Sequence, residues 1–335
     1  MHVGHSYKIT EFILWTRRPI YLLTAISVIF VVLYQVLELR WLAIPWGVVF
    51  MLGTTVALMA GFKNTQTYNR TSDAQQVWAS ITAMSRLWGV MSRDYAGGGE
   101  DSRRLVYRHM AWLTALRYQM RDTKAWETTH KASNAEYKKN YGVPEKENAF
   151  DAELTKYVSI SEKSRIQMSP ARASEALGLQ SDQLKAMLEK ERITPSFFVE
   201  LQKILREFHD LQAKAERIKN YPYPRQYAIV STIFVRILCV LLPLGMINEL
   251  EPLNNYVSGP MEGNMVWLAI PLSALICWMY VALDQVGESS SNPFEGGAND
   301  IPISQICSSI EVDLRQVLGE SDIPAVTGPA NPIVL

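Results

Sequence analysis

The sequence predicts an all-α membrane protein with four transmembrane helices and a large helical cytoplasmic region. Three observations predict this fold class. The 33 basic and 33 acidic side chains of the 335 residues are distributed very unevenly. Four long blocks carry almost no charge, which is typical of membrane-spanning helices. The segment between the second and third blocks is rich in helix-forming residues and lacks the alternating pattern of strands.

The four apolar blocks are each long enough to cross a hydrocarbon core of ~30 Å at ~1.5 Å per residue. They comprise residues 19–37, 42–62, 227–248 and 265–283, and their one charged residue is Arg236 in the third block. A soluble helix of this length would show a charged face. We expect the first block to be a membrane helix and not a signal peptide, because Glu38 and Arg40 follow it where a small-residue cleavage site would stand.

Basic residues predict the topology. The segment from 63 to 225 holds 27 of the 33 basic residues, whereas the loop from 249 to 262 holds none and has three glutamates. The positive-inside rule therefore predicts that both termini and the middle segment are cytoplasmic. The predicted organisation is a cytoplasmic N-terminal segment (1–18), transmembrane helices 1 and 2 (19–63), a cytoplasmic helical region (64–225), transmembrane helices 3 and 4 (226–284), and a cytoplasmic C-terminal helix and tail (285–335).

Turn signals at 97–99, 142–144 and 169–170 divide the cytoplasmic region into helices. The clearest helix start is Thr194 as N-cap followed by Pro195, and Pro222 and Pro224 end this helix before the third block. Apolar residues at spacings of three and four predict that one face of it is packed core. These residues are Phe198, Leu201, Leu205, Phe208 and Leu211.

A second amphipathic helix is predicted near the C-terminus, opened by Pro302 and closed by Gly319. Residues 321–335 contain three prolines and no period, which predicts a loose or wrapping tail. The apolar stripe of the helix consists of Ile303, Ile306, Ile310, Leu314 and Val317.

Motifs for catalysis are absent from the sequence. There is no phosphate-binding loop, dinucleotide fingerprint or nucleophile elbow, and the five histidines include no pair at metal-ligand spacing. The zero net charge argues against nucleic acid as a partner. Three cysteines form no disulfide framework. We therefore predict a protein that is not an enzyme, with no cofactor and no bound metal.

Two features point to function inside the membrane. Arg236 lies near the middle of the third block, where a charge is costly unless it faces protein or water. It is either functional or paired for assembly by Asp284 or a helix end. The second feature is a stripe along the second block, whose copies around a symmetry axis could line a pore. The stripe consists of Met51, Thr55 and Met59, flanked by Leu58 and Phe62.

Three groups of residues carry a resemblance to a known family. The first is Gly61-Phe62-Lys63-Asn64 with Tyr68-Asn69-Arg70 and Ala74-Gln75-Gln76-Val77-Trp78; the second is Glu216-Arg217-Ile218 with Pro222-Tyr223-Pro224 and Tyr227; the third is Asn292-Pro293-Phe294-Glu295-Gly296 with Asn299-Asp300-Ile301-Pro302 and Ile310-Glu311-Val312-Asp313-Leu314. Together they resemble the signature motifs of bestrophins, especially those of the bacterial branch, in order and in spacing.

The resemblance implies a homopentameric ion channel in the bacterial inner membrane, in contact with the lipid bilayer. It would conduct small monovalent ions, either chloride and other anions or sodium and potassium. A hydrophobic neck is implied at Met51, Thr55 and Met59, with Leu58 and Phe62 as the neighbouring register. A cytoplasmic aperture is implied at Ser196 or Phe197, although a polar serine departs from the apolar residue usual in the family.

The resemblance also bears on calcium and on assembly. Animal members bind calcium after their Asn-Pro-Phe motif, but residues 295–300 offer too few carboxylates for a tight site. Asp300 is expected to cap the following helix instead.

The C-terminal stripe is expected to contact neighbouring subunits. The alternative to a channel is a non-conducting membrane sensor or scaffold, and the sequence does not decide between anions and cations.

Overall fold

The computed structural model of the protein describes residues 2–4, 8–138, 141–324 and 333–335. Within these ranges the regular structure is helical, apart from one strand-like bridge between His2 and Ile333. The α-helices are α1 (Ile9–Gln35), α2 (Trp46–Tyr95), α3 (Gly99–Arg121), α4 (Ala132–Tyr137), α5 (Pro144–Glu147), α6 (Phe150–Leu154), α7 (Ile160–Met168), α8 (Arg172–Glu189), α9 (Pro195–Asn220), α10 (Arg225–Leu250), α11 (Ala269–Ser289) and α12 (Ile303–Val317).

Four of these helices, α1, α2, α10 and α11, contain stretches long and apolar enough to cross a membrane. They coincide with the four apolar blocks of the sequence. Two extend well beyond their blocks: α1 begins at Ile9, ten residues before Pro19, and α2 continues without a break to Tyr95. With 50 residues, α2 is about 75 Å long. It therefore extends far beyond the stretch that is long and apolar enough to cross a membrane.

The membrane helices share a small apolar core. Val49 and Val56 of α2, Leu238 of α10 and Cys277 of α11 belong to one buried cluster. Helices α2 and α10 approach closely at Gly245, where an added Cβ would lie 2.7 Å from a methyl of Val49. Close approach at small residues is usual in membrane helix packing, where dispersion contacts replace the hydrophobic effect.

The larger core lies beyond the membrane-spanning stretches, where the second half of α2 packs with α3, α9 and α12, and α8 packs on α3 and α9. Its largest fully buried side chains include Trp78, Trp88, Trp112 and Phe208. The predicted start of α9 is confirmed, since the Thr194 hydroxyl accepts a hydrogen bond from the Phe197 N–H at 3.3 Å. The predicted core face of α9 is also confirmed.

The expected contact of the C-terminal stripe with neighbouring subunits is wrong for three of its five residues. Ile303, Ile310 and Leu314 are fully buried within the subunit, where α12 packs on α2 and α3. A Cβ added at Gly89 of α2 would lie 2.6 Å from a Leu314 methyl, which shows how closely these helices pack. Ile303, Ile310 and Leu314 complete the core of their own chain and are not free to contact a neighbouring subunit, whereas Ile306 and Val317 are half-buried. Most of the predicted loose tail, residues 325–332, lies outside the described residues.

Candidate pore-lining helix and its supports

Helix α2 has a buried side and an exposed side within the membrane. Val49, Val56 and Ala60 are buried against the other membrane helices. Leu58 follows Val49 by nine residues, and at ~100° per residue nine residues place it on the opposite side of the helix. Leu58 is 62% exposed. One side of α2 therefore packs within the subunit, and the other is left open.

The open side carries most of the residues predicted to form a neck. Met51 is 72% exposed and Phe62 69% exposed, and Thr55 is exposed as well. Met59 is less exposed than these residues. It is half-buried because it lies toward the packed side of the helix. Thr54 is also exposed on this side, although it was not among the residues predicted for the neck. It precedes Leu58 and Phe62 at the same spacing of four residues.

The two threonines of this side satisfy their hydroxyls within the helix. The Thr54 hydroxyl donates to the Phe50 carbonyl and the Thr55 hydroxyl to the Met51 carbonyl, both at 2.9 Å. Their donor protons are thereby occupied. The exposed side of α2 within the membrane therefore presents methyl groups, thioethers and an aromatic ring, with hydroxyl oxygens available only as acceptors.

A buried ion pair lies immediately below Phe62. The Lys63 ammonium donates to a carboxylate oxygen of Asp284 at 2.6 Å, and the two side chains are 4% and 10% exposed. Thr232 and Ser231 of α10 also donate to this carboxylate, at 3.0 and 3.4 Å. One carboxylate thus joins α2, α10 and α11, and Lys63 points away from the exposed side of α2.

Arg236 is not paired with Asp284, so that interpretation of its role is wrong. Asp284 is occupied by Lys63, and Arg236 is exposed on the outer surface of α10. No ion pair or hydrogen bond joins Arg236 to any residue that the structure describes.

The lower end of α2 meets the start of α9. The ring of Tyr95, the last residue of α2, stacks on the ring of Phe197 with centroids 4.2 Å apart and planes within 8°. Ser196 is exposed in the first turn of α9. The two residues predicted to form an aperture therefore lie at the C-terminal end of the helix that carries the exposed apolar side.

The three sequence motifs meet on α2. The guanidinium of Arg70 donates to the backbone carbonyls of Ile218, Tyr221 and Ser291, the last at 2.9 Å. It thereby ties the ends of α9 and α11 to the middle of α2. About two turns further along α2, Trp78 packs edge-on against Phe294 with ring centroids 6.5 Å apart. These contacts fix the position of α2 where it leaves the membrane.

The loop after α11 contains two buried carboxylates. Glu295 accepts hydrogen bonds from the N–H and hydroxyl of Thr128 at 2.8 and 2.6 Å. Burial, together with the nearby Asp300 carboxylate, raises the pKa of Glu295 to about 7. The expected capping role of Asp300 is wrong: it accepts from the Gly296 N–H at 2.7 Å and pairs with Arg121 at 3.1 Å, and no side chain caps α12.

Comparison with known proteins gives consistent results. Residues 12–316 match the family described as Bacterial/Fungal Bestrophin protein. The voltage-dependent anion channel-forming protein YneE of Escherichia coli is 24% identical over 304 residues, which cover 90% of this chain and 86% of that protein. A voltage-dependent anion channel-forming protein of Mesorhizobium japonicum is 22% identical over 287 residues, which cover 84% of this chain and 80% of that protein.

Among solved structures, the crystal structure of a bacterial bestrophin homologue from Klebsiella pneumoniae matches with a TM-score of 0.75 at 20% identity. The match covers 91% of this chain and 99% of that chain. The likeness shows a shared fold.

Proposed function

Because this chain belongs to the bacterial and fungal bestrophin family, we propose that it forms a homopentameric membrane channel for small monovalent anions. The family match and the printed names of relatives in Escherichia coli and Mesorhizobium japonicum support a channel for anions. The observation that carries the proposal is the exposed apolar side of α2. A helix held firmly within its subunit on one side, and open on the other at membrane depth, is suited to line a shared axis.

The neck of this channel would be formed by the middle of the exposed side. Thr54, Leu58 and Phe62 recur every four residues there, with Met51 one turn above. Met59 lies at the edge and would contact a neighbouring copy of α2. In a ring of five copies the passage would be narrow and apolar, so that the barrier to ions is the loss of their hydration shell.

Below the neck, the cytoplasmic halves of α2 would enclose a vestibule. The second constriction would lie at its end, where Ser196 and Phe197 meet Tyr95. Both termini would be cytoplasmic, in keeping with the concentration of basic residues between 63 and 225. A membrane-impermeant thiol reagent should therefore label Glu262→Cys from outside intact cells and leave Lys8→Cys unlabelled.

Recording from the purified protein in planar bilayers tests the function. Leu58→Ala removes five isobutyl groups from the narrow passage and should increase the single-channel current several-fold. Leu272→Ala is the matched control, because Leu272 is an exposed leucine of α11 and should leave the current unchanged. Mass measurement in detergent should give a pentamer for the wild type and both variants.

Two outcomes would overturn parts of the proposal. Unchanged current in assembled Leu58→Ala, with increased current in Met59→Ala, would place the pore on the side of Met51, Thr55 and Met59. No current from the assembled wild type at any voltage would favour a membrane sensor or scaffold.

A further inference from the structure

The membrane part of this chain contains a positive charge without a counterion. Arg236 is the one charged residue in the four apolar blocks. The next carboxylate, Asp284, lies at the end of the fourth block and is neutralised by Lys63 at 2.6 Å. At the outer surface Glu251 is paired with Arg40, also at 2.6 Å. Each subunit therefore has one unbalanced positive charge within the hydrocarbon region.

Identical copies cannot supply the missing negative charge. Every copy has the same four blocks, and none of the blocks contains aspartate or glutamate. In a ring of copies, Arg236 would thus meet backbone, hydroxyl groups, water or a mobile anion, but no carboxylate of a neighbour at its own depth. The charge is therefore not cancelled by assembly.

The depth of Arg236 follows from contacts on either side of it in α10. Thr232 donates to the Asp284 carboxylate that pairs with Lys63, and a Cβ added at Gly53 would lie 3.8 Å from a methyl of Leu238. Arg236 lies between them, about 6 Å from the level of Thr232 and about 3 Å from the level of Leu238. Because α2 and α10 run in opposite directions, this is the depth of the α2 segment between Thr55 and Met59.

The direction of Arg236 excludes a role in packing within its subunit. Leu238 faces α2, and at ~100° per residue Arg236 is turned about 160° away from it. The side chain is exposed, and no described residue pairs with it. Since an arginine at this depth is stable only against protein or water, this side of α10 must be covered by another copy or by a water-filled space.

We infer that Arg236 is the residue that determines the charge selectivity of this channel, by placing a ring of fixed positive charges at the depth of an otherwise uncharged neck. The inference rests on the proposed channel function. Within the low-dielectric membrane such charges attract anions and repel cations over distances that would be screened in water.

The experiment is the reversal potential of the purified channel under a potassium chloride gradient. The wild type should prefer chloride, and Arg236→Lys should keep that preference because the charge is retained. Arg236→Gln should lower the chloride-to-potassium permeability ratio by at least about tenfold. Arg40→Gln removes a cation outside the hydrocarbon region and is the matched control, with an unchanged ratio.

A measurement on the wild type provides a second test that needs no variant to fold. Charges in contact with bulk water are screened at 1 M salt, where the Debye length is ~3 Å, whereas charges surrounded by protein and hydrocarbon are screened much less. The preference for chloride should therefore persist at 1 M salt. A preference that disappears there, or an unchanged ratio in assembled Arg236→Gln, would overturn the inference and leave the channel function intact. A wild type without current would overturn both.

Discussion

The ammonium nitrogen of Lys63 lies 2.6 Å from a carboxylate oxygen of Asp284, and the two residues are 221 positions apart in the sequence. Lys63 directly follows Phe62 of the proposed neck, and Asp284 is close to the end of α11. The pair therefore fixes the lower end of the neck against two other membrane helices.

Removing one member of this pair should be strongly destabilising. Asp284→Leu leaves a buried ammonium without a partner, and Lys63→Met leaves a buried carboxylate, at a cost of about 3–5 kcal/mol each. The double variant removes both charges and should be more stable than either single variant. Thermal unfolding of the four proteins in detergent measures this coupling, and a double variant as unstable as the sum of the two singles would contradict it.

Gly245 should not tolerate a methyl group. A Cβ at this position would lie 2.7 Å from Cγ2 of Val49, and a β-branched side chain in a helix cannot easily rotate away. Gly245→Ala should therefore lower stability by about 1–3 kcal/mol.

The same substitution at Gly178 is the matched control. Gly178 lies inside α8 with no atom within 4 Å of an added Cβ. Alanine there should stabilise the protein by about 0.5–1 kcal/mol, because it reduces the freedom of the unfolded chain. Equal thermal midpoints for the two variants would show that α2 and α10 separate enough to admit the methyl.

The buried Glu295 should make the protein less stable as pH rises from about 4.5 to about 7. Its pKa is about 7 in the folded protein, above the ordinary value of 4.5. The folded state therefore holds this proton more tightly than the unfolded state, and the stabilisation is lost as the proton leaves. The melting temperature of the wild type relative to Glu295→Gln should be higher at pH 5 than at pH 8.

Exposed Glu189 is a suitable control for this comparison. Glu189→Gln should shift the melting temperature equally at the two pH values. A wild type that gains stability relative to Glu295→Gln at pH 8 would mean that Glu295 is ionised in the folded protein and stabilised by its donors.

His109 should make the protein less stable as pH falls, which is opposite to the effect of Glu295. Burial among Trp112, Phe208 and other aromatic rings lowers the pKa of His109 to about 3, from 6.5. The unfolded chain gains a proton below pH 6.5 that the folded protein does not, so stability falls by about 1.4 kcal/mol per pH unit below that value. His109→Phe should remove this loss between pH 6.5 and pH 5 in thermal unfolding. If the stability of the wild type and that of His109→Phe had the same pH dependence, the imidazole of His109 would be protonated within the folded protein.

The sequence by itself determined the parts of this protein that depend on local composition. Apolar stretches of membrane length, with Arg236 as their one charged residue, predicted α1, α2, α10 and α11, because crossing hydrocarbon requires a long apolar segment whatever the rest of the chain does. The Thr194-Pro195 pair predicted the start of α9, because capping involves only neighbouring residues.

Tertiary structure alone decided which side of α2 is open. A membrane helix is apolar all round, so its sequence does not distinguish the face that packs from the face that lines a pore. The placement of Met59 at the edge, and of Thr54, Leu58 and Phe62 at the centre, follows from the positions of α10 and α11.

The C-terminal stripe shows the same limit: its period predicted that Ile310 and Leu314 are covered, and only the fold shows that α2 and α3 of the same chain cover them. Charge pairing is the third case. Asp284 could have balanced Arg236 or Lys63, and the packing of α2 against α11 pairs it with Lys63 and leaves Arg236 without a partner among the residues that the structure describes.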